Sequence, residues 1–536
     1  MYYKLKLENM KRYYRFVNEV IVGLFLLFTM NSCSPAPQKG VEASKSYFQE
    51  QYRPQFHFTP EAHWMNDPNG MVYFEGEYHL FYQYYPESSV WGPMHWGHAV
   101  STDLIHWKHL PIALYPDSSG YIFSGSAVID KANTSGLGQK GVPPMVAIFT
   151  YHDSKAEKAG KIDFQNQGIA FSLDKGRTWT KYKNNPVLKN PGIRDFRDPK
   201  VMWHEPSKRW IMTLATMDCV TFYSSPDLKS WTKESSFGKE IGAHGGVWEC
   251  PDLFRLKVKD SDASKWVLFV SINPGGPNGG SATQYFVGDF DGHQFNPEHT
   301  ETKWVDWGRD NYAGVTWSNI PETDGRRLFL GWMSNWDYAT VVPTTVWRSA
   351  TTFPREITLK KVDGKYSLVS LPVKEIDLIR DKASKTEISS QNISGEKEID
   401  LKGANLSQCE INLDINLDKG LPEKFGLILE TGKGESLKIG YSKSEAKFFI
   451  DRTNAGNYSF SNKFTGVTQA PYVLKNQVHL QILFDAASVE LFVDQGNLVM
   501  TDLLFPTESF KKIKAFSLGS GITLQNMEIV RLERIW

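Results

Sequence analysis

A short pattern recurs along the first two-thirds of the chain and limits the folds open to it. Ser101-Thr102-Asp103-Leu104-Ile105-His106-Trp107 and Ser225-Pro226-Asp227-Leu228-Lys229-Ser230-Trp231 share Ser, Asp, Leu and Trp at the same spacing. Ser172-Leu173-Asp174-Lys175-Gly176-Arg177-Thr178-Trp179 is one residue longer, and Gly288 to Phe295 is a looser fourth version. Each follows a strand-like run and leads into another. Units roughly fifty to seventy residues long, each holding several short strands, have the form of propeller blades. Four or five such units fill the region, and five blades are expected. The plainer alternative is a common hairpin turn with no architectural repeat behind it.

The surrounding texture agrees with an all-β chain. From about Tyr52 to Pro354 no long helical period appears. Short apolar or alternating runs recur between Gly, Pro, Asn and Asp, as at Tyr78–Tyr82, Val146–Tyr151, Trp210–Ala215 and Trp266–Ile272. After Pro354 tryptophan nearly vanishes until Trp536. Alternating runs such as Phe425–Glu430 and Val478–Phe484 then predict a β-sandwich. The expected organisation is a propeller over 51–370, a linker over 371–383 and a sandwich over 384–536. A chain of 536 residues is too long for one ordinary core, which suits two domains.

The first 50 residues read as processing and tether. Lys11, Arg12 and Arg15 precede an apolar run from Val20 to Met30 that is too short to span a membrane. Cys33 follows Asn31-Ser32, so residues 1–33 are similar to a bacterial lipoprotein signal, with Cys33 lipidated after cleavage. The Pro/Gly/Ser/Lys stretch over 34–50 would tether it. A simple secretory signal with a chance cysteine is the alternative. Either way the chain is expected to leave the cytoplasm. With a lipid anchor it would sit at the membrane of a bacterium, in the periplasm or at the cell surface.

Composition excludes some partners. The 60 Lys and Arg balance 60 Asp and Glu, so there is no electrostatic case for nucleic acid or an acidic polymer. A neutral substrate is expected. Cys219, Cys250 and Cys409 are widely spaced, without zinc-finger spacing, and are expected to be free and buried. His95 and His98 have a spacing that can ligate zinc, but no third ligand matches it. Neither metal nor cofactor is expected. Pro274 to Gly280 lacks the Lys and helix of a phosphate loop and reads as a flexible loop near a pocket mouth.

Three carboxylates have settings suited to chemistry. Asp67-Pro68-Asn69-Gly70 fits a type I turn at every position. Trp64 and Met65 before it would wall the carboxylate from water, a setting that suits a nucleophile. Asp198 stands between Arg197 and Pro199. The Pro predicts an extended Asp198 and the Arg an ionised one, fit to recognise hydroxyls; a surface ion pair in a turn is the alternative. Glu249 lies between Trp248 and Cys250, where desolvation would tune it as a general acid, unless it is a strand-edge Glu facing water. Two carboxylates in opposed environments are the equipment of glycoside hydrolysis.

At these residues the chain resembles glycoside hydrolase family 32, the invertases, inulinases, levanases and related fructan hydrolases. The resemblance rests on Trp64-Met65-Asn66-Asp67-Pro68-Asn69-Gly70, Arg197-Asp198-Pro199 and Glu249-Cys250-Pro251, in that order. Phe81 to Pro86, Trp91 to His98, Phe123-Ser124-Gly125, Tyr312-Ala313 and Gly331 to Trp336 add to it. It runs from Gln51 to the end of the chain. A departure at Leu371-Pro372, where many relatives carry Gln before Pro, touches only the linker.

The resemblance implies a five-bladed propeller joined to a sandwich, and a retaining double displacement without metal. Asp67 would be the nucleophile, Glu249 the general acid/base, and Asp198 the stabiliser of the transition state, supported by Arg197. Trp64, Met65, Asn66, Gln83, Trp91, Phe123, Ser124 and Trp336 would form the fructose pocket. The implied reaction is removal of terminal fructosyl units from levan, inulin or sucrose. An endo-acting levanase or inulinase is the alternative within the fold. Outside that reaction stand a non-catalytic fructan-binding lipoprotein and an arabinan- or xylan-cleaving enzyme of the same architecture.

Overall fold

The computed structural model describes residues 47–139, 141–417 and 419–536. The expected signal, Cys33 and the expected tether up to residue 46 lie outside the described residues. Among those described, no helix is long and apolar enough to cross a membrane.

Five antiparallel sheets form a five-bladed β-propeller, followed by a C-terminal β-sandwich. The innermost strands of the blades are His63–Phe74, Tyr121–Ile129, Phe196–His204, Val247–Lys257 and Tyr312–Thr316. The recurring turn has one structural address. It joins the third and fourth strands of a blade each time: His95–Ser101 to Trp107–Leu114, Gln165–Ser172 to Thr180–Lys181, Cys219–Ser225 to Thr232–Phe237, and Ala282–Phe290 to Phe295–Pro297.

Its chemistry explains the conserved spacing within the chain. Asp103 Oδ1 accepts from the backbone N–H of Ile105 and His106, and Asp227 Oδ1 from those of Lys229 and Ser230. The indole N–H of Trp107 closes back on the Leu104 carbonyl, and that of Trp231 on the Leu228 carbonyl. The Asp side chain thus satisfies turn donors that no strand can reach. The fifth blade turns at Asp363-Gly364 instead and lacks the pattern, so sequence shows only four copies.

Each blade packs its face on the next through its own apolar cluster. Phe81, Trp96 and Leu114 of the first blade meet Ile122 and Phe149 of the second. Val128 and Ile148 of the second meet Val201 and Met212 of the third. Ile211 and Phe222 meet Leu268 and Phe286, and Phe254 and Phe269 meet Phe329 and Leu359. The ring closes where Met65 and Leu80 meet Tyr312 and Leu330. There the short strand Trp347–Arg348 pairs in parallel with His63-Trp64, so a segment of the chain between the second and third strands of the fifth blade completes the first.

The sandwich is organised by one long strand, Phe510–Arg531. Its first half pairs with Lys424–Thr431 and its second with Cys409–Asn416. The strand passes from one layer to the other, and Leu427, Ile439 and Ile450 face Ile411, Ile482 and Leu491 across a single core. Buried charges bind sandwich to propeller. Glu490 accepts from Arg355 and His57, Asp485 accepts from His57, and Arg355 also pairs with Asp306 at 2.8 Å.

Two expectations change. The Pro274–Gly280 segment does not reach the pocket. Asn278 donates to the carbonyls of Trp307 and Gln469, which docks it on the sandwich. Cys250 and Cys409 are free and buried, but Cys219 is free and half-buried at a tight hairpin.

Candidate active site

The innermost strands share an irregularity that creates the site. Each departs from its neighbour's register near the same end: between Met65 and Pro68, between Ile122 and Gly125, between Glu249 and Asp252, and between Tyr312 and Val315. In the third blade the shift lies opposite Arg197 to Lys200. Such bulges twist a strand and re-aim its side chains. Asn66-Asp67, Phe123-Ser124, Asp198-Pro199 and Cys250-Pro251 sit within them. Three non-glycine residues there have left-handed φ: Asp198 at 64°, Cys250 at 46° and Ala313 at 52°.

This overturns two local readings. Asp-Pro-Asn-Gly is not a turn at a strand end, because the strand His63–Phe74 runs straight through it. Asp198 is not extended ahead of its proline. Asp tolerates the left-handed region better than most residues, and the bulge requires it there.

Asp67 is held by donors. Asn66 Nδ2 donates to its Oδ1 at 2.9 Å and Ser124 Oγ to its Oδ2 at 2.7 Å. Asn66 is fixed in turn by the Trp64 indole N–H, which donates to its Oδ1 at 2.7 Å. Burial, then the charge of Glu249, raises the Asp67 pKa, while the Asn66, Ser124 and Cys250 bonds pull it back. Cys250 Sγ lies 3.5 Å from Asp67 Oδ2 and 3.7 Å from Asp198 Oδ2, between the two.

Glu249 has partners that its flanking residues do not announce. Arg197 donates to its Oε1 from Nε at 3.2 Å and from Nη2 at 2.9 Å. The Tyr312 hydroxyl donates to its Oε2 through a short hydrogen bond. Trp248 is buried among Phe222, Leu268 and Phe286, away from the carboxylate. The surroundings of Glu249 are therefore polar and charged, not the apolar sleeve expected from Trp248 and Cys250.

Arg197 also serves Asp195, at 2.5 Å, and stays 4.0 Å from Asp198. The expected Arg197–Asp198 partnership is thus mainly an Arg197–Glu249 one. Asp198 accepts instead from the Cys250 backbone N–H at 3.0 Å. Burial raises its pKa, as do Glu249 and Asp67, and the more distant Arg197 opposes without cancelling them. Where ionisation by Arg197 was expected, Asp198 is biased toward holding a proton.

The three carboxylates open into one cavity of about 310 Å³, lined also by Asn66, Gln83, Trp91, Phe123, Ser124, Arg197 and Trp336. Phe123 stacks on His152 with ring centroids 4.2 Å apart, and Trp91 stands edge-on to Phe123 at the rim. Trp64 and Met65 are placed differently from the expectation. Both are fully buried and do not line the cavity. Trp64 stacks behind Trp336 at 5.8 Å and positions Asn66, so it supports the wall from the second layer.

Tyr312, Asp195, His152 and Glu157 join the site, although the sequence reading assigns none of them a role there. Tyr312 had a signal, since Tyr312-Ala313 opens an innermost strand as the other site motifs do. The short helix Ser154–Lys158 that carries Glu157 has no such mark. His95 and His98 lie three residues apart on one strand, hence on opposite faces. His95 bonds the Pro93 carbonyl and His98 is buried against His79 at 3.1 Å.

Comparison with known proteins decides the family. Residues 57–372 match the model of the glycosyl hydrolases family 32 N-terminal domain, and residues 375–531 that of the family 32 C-terminal domain. The chain belongs to glycoside hydrolase family 32. It is 49% identical to a levanase of Bacillus subtilis over 97% of this chain and 75% of that protein. It is 37% identical to an extracellular exo-inulinase of Aspergillus awamori, over 91% of this chain and 96% of that one. The crystal structure of exo-inulinase from Aspergillus awamori superposes with a TM-score of 0.83 at 34% identity, covering 91% of this chain and all of that one. A fructofuranosidase from Schwanniomyces occidentalis, solved with fructosylnystose, gives 0.82 at 35% identity over 91% of this chain and 99% of that one. The family 32 chain described here is accordingly a glycoside hydrolase, and its relatives act on fructans or carry fructofuranosidase names.

Proposed function

We propose that this protein is a retaining β-fructofuranosidase that removes terminal fructosyl units from fructans and sucrose. The observation that carries the reading is the convergence of Asp67, Asp198 and Glu249, from three separate blades, on one small cavity. In this mechanism Asp67 attacks the anomeric C2 of a fructosyl unit. Its two fixed donors, Asn66 and Ser124, keep one oxygen lone pair aimed at that carbon. Glu249 protonates the departing oxygen. Once the fructosyl–Asp67 ester has formed, Glu249 takes a proton from water, which then attacks C2 and restores Asp67. Net retention follows from the two displacements.

In a fructoside the ring hydroxyl next to the anomeric C2 is the one on C3, so the transition-state contacts that an aldose makes through its 2-hydroxyl fall to the 3-hydroxyl and its neighbours. Asp198 takes this role in the proposed mechanism, since its carboxyl lines the same cavity as Asp67 and Glu249. Tyr312 and Arg197 orient Glu249 from either oxygen. Gln83, Trp91, Phe123 and Trp336 supply the amide and ring surfaces that suit a small polyol. A pocket near the small end of the range for small-molecule sites, roughly 300 Å³ upward, favours a chain end over an internal segment.

Digestion of sucrose, inulin and levan, with products resolved by chain length, tests the reading. Fructose as the sole early product from the polymers is expected. Oligosaccharides from the outset would mean internal cleavage, and activity on arabinan with none on fructans would refute the substrate class. Several relatives are extracellular exo-inulinases, which favours export of this chain too. We place its lipid anchor at Cys33, a proposal that labelling with a radioactive fatty acid in a bacterial host tests, with loss of label expected for Cys33→Ala.

A further inference from the structure

The propeller has a second cavity, larger than the catalytic one, built on the other ends of the same innermost strands. Its volume is about 530 Å³, inside the ~300–1,000 Å³ range of small-molecule sites. Arg197 and Asp198 begin the Phe196–His204 strand and face the catalytic cavity. Lys200 to Trp203, further along that strand, line this one. Glu249 begins Val247–Lys257, and Asp252 to Arg255 continue it into the second cavity. The two cavities therefore lie in series along the strands that carry the carboxylates.

Its floor is polar and incompletely satisfied. Asp252 is 1% exposed. Its Oδ2 accepts from the Thr316 backbone N–H at 2.7 Å and the Thr316 hydroxyl at 2.8 Å, and lies 3.2 Å from Lys200 Nζ. Its Oδ1 has no hydrogen-bond partner. Lys200 donates to the Thr316 carbonyl at 2.5 Å. Arg327 lines the same cavity and donates only weakly, to the Trp317 carbonyl at 3.3 Å. A buried carboxylate oxygen without a donor calls for one. The walls carry Trp203 and Trp266, both half-buried, with Trp210 edge-on to Trp203 at 5.1 Å.

We propose that this distal cavity is a second saccharide-binding site, taking a fructosyl segment of the polymer whose end is hydrolysed on the opposite face. Indole faces stack on the apolar side of a sugar ring. A hydroxyl donates to Asp252 Oδ1, while Lys200 and Arg327 donate to neighbouring hydroxyl oxygens. The cavity as a whole interleaves three carboxylates, Asp130, Glu205 and Asp252, with four cations, Lys131, Lys200, Arg255 and Arg327, a mixed lining that favours a neutral polyol over a compact anion. Held here, a long fructan stays close to the enzyme between cleavages, raising the effective concentration of its chain ends. The inference rests on the fructan reading above.

Trp203→Ala, which touches nothing in the catalytic cavity, is the first test. Its kcat/KM on levan or inulin should fall about three- to tenfold while that on sucrose stays unchanged. An unchanged value on the polymer, or an equal fall on polymer and sucrose, would overturn the proposal. A second measurement needs no change at the distal site. Hydrogen exchange of the Asp67→Ala protein with a fructo-oligosaccharide should show protection at residues 200–203 and 252–255 as well as around the catalytic cavity. Protection at the catalytic cavity alone, or protection of the distal segments by inorganic phosphate in place of sugar, would also overturn it. Failure of the unaltered enzyme on every fructan and on sucrose would instead refute the reading on which the proposal rests.

Discussion

At the scale of single residues, the site works by fixing carboxylates with opposing donors. Asp67 shows the balance most clearly: burial and the charge of Glu249 push its pKa up, and Ser124 and Asn66 push it down. A donor to the ionised form lowers a carboxyl pKa, so removing it must raise it. Ser124→Ala should therefore move the acid limb of kcat/KM to higher pH. A hydrogen bond to a charged group contributes roughly 1.5 kcal/mol and one pH unit corresponds to about 1.36 kcal/mol, so the limb should shift by about one unit. Initial rates on sucrose across pH check this; an unmoved limb would show that another group controls it. Glu249, by contrast, is not enclosed by its chain neighbours: Trp248 packs among Phe222, Leu268 and Phe286, and the Cys250 thiol lies against Asp67 and Asp198. Its real partners, Arg197 and Tyr312, come from two other blades, and spacing along the chain carries no trace of them.

At the scale of elements, what sequence shows is what is locally encoded. The Ser-x-Asp-x-x-x-Trp turn is legible because its hydrogen bonds close within seven residues, and it marks four blades correctly. The bulges are illegible because they are defined by a neighbouring strand's register. Asp67-Pro68-Asn69-Gly70 has ideal turn chemistry, yet tertiary pairing carries the strand through it. Gly70 shows the constraint. It has φ of 57°, and a Cβ there would stand 2.7 Å from Phe81 and 2.8 Å from Trp96. Gly70→Ala should lower the melting temperature, at a cost of about 1–3 kcal/mol from overpacking plus its backbone strain. It should also reduce kcat by displacing Asp67, three residues away. Thermal unfolding with parallel kinetics checks both, and an unchanged melting temperature would mean that the neighbouring rings give way freely.

At the scale of the whole molecule, the two domains are joined by charges removed from water. Burial opposes the charge on His57, but the carboxylates of Asp485 and Glu490 outweigh it and push its pKa up to about 9. Burial likewise works against Glu490, yet Arg355 and His57 hold its pKa down to about 2. A raised histidine contributes stability that is complete below its ordinary 6.5 and is lost as pH rises through 9. A depressed glutamate contributes stability that is complete above its ordinary 4.5 and is lost as pH falls toward 2. The junction should thus be firmest between about pH 4.5 and 6.5, with up to ~3 kcal/mol lost on the alkaline side. Unfolding followed at pH 6 and pH 9.5 checks this. His57→Gln should be less stable at pH 6 and should abolish most of the difference between the two. The domain order and the all-β class could be read from composition and alternation. This junction could not, because its members are separated by more than 400 positions between His57 and Glu490.

The central claim is that Asp67 forms the covalent bond to fructose and Glu249 manages the protons. Glu249→Gln, given a fructosyl donor whose leaving group needs no protonation, should pass the first displacement and stall at the second. Peptide mass mapping of the quenched protein should then find one fructosyl unit esterified to the Asp67 side chain. Absence of any adduct with near-normal turnover, or an adduct on a different residue, would contradict the account.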